Sequence, residues 1–102
     1  MDVNVKFEIG YIDEISKWIF IRNVKSTGIF EEDFIYFMKE LQHYLNGEIY
    51  EIGDTRYRIS NDKLDLVYQW DDCFGIVVEY HNKSEKEDAV KLLNKVIGEI
   101  SH

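Results

Sequence analysis

Residues 64–80 read LDLVYQWDDCFGIVVEY, and the fold follows from how that run is phased. Leu64, Leu66, Tyr68 and Trp70 alternate with Asp65, Val67, Gln69 and Asp71. Past Asp71, Asp72 and Cys73, a second series sets Phe74, Ile76, Val78 and Tyr80 against Gly75, Val77 and Glu79. Two period-two runs joined by a short polar segment predict an antiparallel hairpin. A helix would need apolar groups every three to four residues, and Asp65, Gln69 and Asp72 interrupt that spacing. The hairpin is therefore placed at the centre of a sheet with one apolar face.

Working outward, Val3, Val5, Phe7, Ile9 and Tyr11 alternate with polar neighbours and predict a first strand. A polar segment at 13–16 leads into KWIFIRNV, residues 17–24. As a strand it puts Trp18, Phe20 and Arg22 on one face and Ile19 and Ile21 on the other. As a helix it would align Tyr11, Ile12, Ile15, Trp18, Ile19 and Arg22. The β-forming character of WIFI and the turn-like segment before it favour the strand. Phe30, Phe34, Phe37, Met38, Leu41 and Leu45 then recur at helical spacing. Glu31, Glu32 and Asp33 suit the first turn of that helix, where its dipole favours negative charge. Thr27 or Gly28 is the expected entry, and Asn46-Gly47 the exit, with glycine taking the left-handed conformation. Tyr36 and His43 fall opposite the apolar stripe.

GEIYEI and RYRIS read as two more strands, with turns at 53–55 and 61–62. Near the end, Ser84 followed by Glu87 predicts a capping box for a second helix. Ala89, Leu93, Val96 and Ile100 would form its buried stripe. The order is ββαββββα. Two one-sided helices and short connections predict a two-layer α+β sandwich, one domain over residues 1–102. Its mostly antiparallel sheet has about six strands, with both helices on one face.

The chain of 102 residues is 45% hydrophobic and 31% charged, a globular composition. No apolar run approaches the roughly 20 residues that cross a bilayer, and the start MDVNVKFEIG has no secretory pattern. With a single cysteine, these features predict a cytoplasmic protein without a membrane partner. The net charge of −8 is spread over both halves of the chain. It disfavours nucleic acid and favours a basic protein as partner.

No catalytic set emerges. Cys73 follows two aspartates, which disfavour its reactive thiolate. Cys73 and His81 in one strand would lie roughly 26 Å apart, too far to share a metal. The aspartates at 54, 62, 71 and 72 sit in turns, where their backbone hydrogen bonds explain them. The six glycines are scattered singly, without a phosphate loop. Asn82-Lys83-Ser84 matches a glycosylation pattern, which a helix cap at Ser84 explains better. No metal or cofactor is expected.

The seven tyrosines and two tryptophans point instead to an interface. The expected partner surface is the sheet face turned from the helices, carrying Ile19, Ile21, Val67 and Val77 among Arg56, Arg58, Asp65, Gln69 and Glu79. Tyr36 joins it as an outward aromatic. The functional expectation is a non-catalytic binding protein, either an inhibitor or immunity-like neutraliser of a basic protein or a small adaptor. One alternative is a homo-oligomeric module joined through the open sheet face. Another is a small ligand-binding or hydrolase domain with a pocket near His43, Tyr44 and Trp70.

Overall fold

In a computed structural model, described over residues 6–24, 31–71 and 74–100, six antiparallel strands form one sheet and two helices pack on it. The elements run β1 (Phe7–Asp13), β2 (Trp18–Asn23), α1 (Glu31–Leu45), β3 (Glu48–Gly53), β4 (Arg56–Ser60), β5 (Asp65–Asp71), β6 (Gly75–Glu79) and α2 (Lys83–Ile100). The spatial order is β1-β2-β6-β5-β4-β3. Helix α1 carries the chain from β2 to the far edge at β3, and the following meander brings β6 back beside β2. The α+β order ββαββββα is the one read from the sequence.

One core joins the layers. Phe34, Phe37, Leu41 and Leu45 of α1 and Ala89, Leu93 and Val96 of α2 are buried together with Ile59, Leu66, Tyr68, Ile76 and Val78 of the sheet. Burying a large apolar side chain contributes about 1.5–3 kcal/mol, so these residues dominate the folding energy. Tyr68 brings a polar tip into this layer, and its hydroxyl donates to the Phe34 carbonyl oxygen at 2.6 Å. Burial, then the charge of Asp33, holds that hydroxyl well above the ordinary tyrosine range, so it remains a neutral donor.

Several local expectations are corrected. The β2 phase is reversed: Ile19 and Ile21 are 0% and 1% exposed, in the core. They pair with Val78 and Ile76 of β6, whose side chains already face the helices. In β1 a register shift between Ile9 and Tyr11 breaks the alternation. Ile9 packs on the core while Tyr11 turns to the open face. Phe74 also leaves the row expected for β6, because Gly75 at φ 83° re-aims the chain and Phe74 is exposed. Tyr36 does not point outward: it packs on the core, with its ring stacked 6.1 Å from Phe7.

The α2 cap lies two residues earlier than Ser84. Asn82 Oδ1 accepts from the Glu85 amide at 2.9 Å. At the end of α1, Asn46 rather than Gly47 takes the left-handed conformation, with φ 55°. Val3, Val5, Thr27, Gly28, Phe30, Asp72 and Cys73 lie outside the described residues.

The β3–β4 turn holds Thr55 at φ 53°, a conformation a β-branched residue adopts with strain. Thr55→Gly should therefore raise the unfolding free energy by about 0.5–1 kcal/mol, the relief of the left-handed strain less the entropy glycine adds to the unfolded chain. Equilibrium urea unfolding measures this. A loss of stability would show that the Thr55 hydroxyl, 2.7 Å from the Asp54 carbonyl oxygen, outweighs the backbone term.

Candidate functional site: the open face of the sheet

Register sets this face out in rows. Consecutive cross-strand partners give one row Asp13, Trp18, Glu79, Val67, Arg58 and Tyr50. The next gives Tyr11, Phe20, Val77, Gln69 and Arg56. Of the expected surface residues, Val67, Val77, Arg56, Arg58, Asp65, Gln69 and Glu79 thus share the open face. Ile19, Ile21 and Tyr36 do not. Val77 is itself fully buried, between Phe20 and Gln69 on the flanking strands.

In place of the two isoleucines the face carries aromatic rings. Tyr11 is 63% and Phe74 58% exposed, with Trp18 and Phe20 half-buried between them. Phe20 is the hub: its ring centroid lies 5.9 Å from Tyr11, 5.9 Å edge-on from Trp18 and 5.1 Å from Phe74. A shallow depression of about 390 Å³ opens among Tyr11, Phe20, Phe74, Asp13 and Arg22. The sequence held a signal for this surface. Arg22 shares the phase of Trp18 and Phe20, and a guanidinium is almost never buried unpaired. Charge should have outranked ring size in phasing the strand.

The charges divide the face. Arg22 Nε donates to Glu8 Oε2 at 2.7 Å, and its Nη2 pairs with the same oxygen. Arg58 forks onto Asp65, Nε to Oδ1 at 2.7 Å and Nη2 to Oδ2 at 2.6 Å. The hydrogen bond from Arg58 holds the Asp65 carboxyl below its usual range, and Asp65 in turn raises Arg58. Arg56 Nε donates to Gln69 Oε1 at 3.1 Å. At the aromatic end, Asp13 Oδ1 accepts the Ile15 amide at 3.0 Å. Neither Asp13 nor Glu79 forms an ion pair among the described residues. Arg22, Arg58 and Arg56 are thus paired or hydrogen-bonded within the sheet, while Asp13 and Glu79 beside the aromatic rings have no ion-pair partner among the described residues.

The residues weighed for a pocket do not meet. Trp70 packs 5.8 Å from Phe34 in the first turns of α1, while His43 and Tyr44 stand edge to face in its last turn. Among the described residues no group of three His, Cys, Asp or Glu side chains is placed to hold a metal ion. No helix there is long and apolar enough to cross a membrane. No protein-family model, curated protein or solved structure matches this chain.

Proposed function

We propose that this chain is a non-catalytic binding module that recognises a basic protein through the open face of its sheet. The observation that carries the reading is the aromatic cluster of Tyr11, Trp18, Phe20 and Phe74 on a face the helices leave uncovered. Exposed apolar patches ringed by polar groups mark interaction sites, and Tyr and Trp anchor interfaces at low entropic cost. The net charge of −8 supplies the attraction for a cationic partner. A neutraliser of a basic enzyme, or an adaptor subunit, working in the cytoplasm fits this surface.

The test is binding to a panel of purified basic proteins, with acidic proteins of similar size as controls, measured at rising salt. At least one basic protein should bind, with affinity falling about tenfold or more between low and high salt. Phe20→Asp, which places a charge at the hub of the cluster, should abolish the binding without unfolding the protein. Salt-independent binding, or none, ends the proposal. A concentration-dependent dimer in sedimentation that Phe20→Asp dissolves would assign the face to a second copy instead.

A further inference from the structure

Resting on the basic-partner reading, we infer that Trp18, set between Asp13 and Glu79, is the seat for a single arginine side chain of the partner. The three residues are direct cross-strand neighbours: Asp13 pairs with Trp18 across β1 and β2, and Trp18 with Glu79 across β2 and β6. An indole ring is thereby flanked by a carboxylate on each adjoining strand. Both carboxylates lack an ion-pair partner among the described residues, whereas Glu8 and Asp65 on the same face are taken by Arg22 and Arg58.

Among aromatic side chains, tryptophan attracts a cation over its ring face most strongly. Its ring is held in place by Phe20, 5.9 Å away and edge-on at 75°. Tyr11 and Phe74, both largely exposed and within 6 Å of Phe20 by ring centroids, offer apolar surface to the methylene stem of the incoming side chain. Arginine fits better than lysine. A planar guanidinium stacks on an indole while its fork of N–H donors reaches carboxylates on either side, which a compact ammonium cannot do at once. Arg22 does not spoil the seat, because both its contacting nitrogens are committed to Glu8.

The experiment titrates the isotope-labelled protein with an octa-arginine peptide and an octa-lysine peptide, following backbone amides and the two tryptophan indole N–H signals by NMR. Octa-arginine should shift the Trp18 indole and the amides of Asp13, Phe20 and Glu79 first. Octa-lysine should bind about tenfold more weakly. Glu79→Gln and Asp13→Asn, which keeps the acceptor for the Ile15 amide, should each weaken octa-arginine binding severalfold. Trp18→Leu should weaken it about tenfold. Unchanged amide dispersion in these variants shows that the fold is kept. Octa-arginine binding whose shifts fall on the acidic helix α1 overturns the seat and leaves the basic-partner reading standing. Equal affinity for the two peptides overturns the preference for arginine. No binding of either peptide, when a basic protein does bind the same sample, overturns the seat alone. No binding of peptides or basic proteins overturns both.

Discussion

Gly47→Ala is expected to lower the unfolding free energy by about 3 kcal/mol, the upper range for an overpacked site. A methyl group at this position would stand 2.8 Å from Asn61 Cβ and 3.0 Å from the Ser60 carbonyl carbon, and closer still to that carbonyl's oxygen. These atoms cannot step aside. Ser60 pairs with Glu48 in the β3–β4 ladder. Asn61 is fixed by its own bonds: Nδ2 donates to the Leu45 carbonyl oxygen at 3.1 Å, and Oδ1 accepts the Lys63 and Leu64 amides at 2.8 and 2.9 Å. The substitution must therefore either open the edge of the sheet or release the end of α1. Equilibrium urea unfolding gives the number, and Asn46→Gly is the control. Asn46 holds the left-handed turn, so glycine there should be neutral or slightly stabilising. A cost below about 1 kcal/mol for Gly47→Ala would show that the approach relaxes without loss.

Glu85→Ala should cost about 2–3 kcal/mol, because a carboxylate accepting several N–H groups holds three segments together. Its Oε2 accepts the Asp65 amide at 2.9 Å, and its Oε1 accepts the His81 amide at 2.7 Å and lies 2.8 Å from His81 Nδ1. The first turn of α2 is thereby pinned to the start of β5. The hydrogen bond to Glu85 raises the His81 pKa above its ordinary value. The fold therefore favours the protonated ring. That contribution is fully present below about pH 6.5 and is lost as the pH rises through the raised folded-state value. His81 is more than half exposed, so solvent screening keeps the effect small. Urea unfolding from about pH 5.5 to about pH 8.5 should show stability falling across this window in the wild type. In Glu85→Gln the slope should flatten, while part of the amide bonding survives. An unchanged slope in that variant would mean another group titrates.

Which parts were legible follows from the range of the interactions. Alternation in Leu64, Leu66 and Tyr68 and the stripe from Phe34 to Leu45 are local patterns, each residue's fate set by neighbours within its own element. The caps were harder, because several short polar residues compete. Asn82 prevails over Ser84 as the α2 cap since Glu85, one turn in, also finds the Asp65 amide on a strand 20 residues away. The faces of Trp18, Phe20 and Tyr11 are not set by local pattern, for a similar reason. Either face of β2 reads as apolar, and only pairing with β6 decides which one the helices cover. The bulge beside Gly10, where an added Cβ would touch the Arg22 side chain at 3.4 Å, turns Tyr11 onto the other face.

By itself, then, the sequence determined the elements, their order, the two-layer class and the acidic charge, since each depends on local periodicity or on composition. The tertiary structure decided which rings lie under the helices and which stand on the open face. A strand's phase is fixed by the strand hydrogen-bonded beside it, and β6, the neighbour that phases β2, lies more than 50 residues further along the chain.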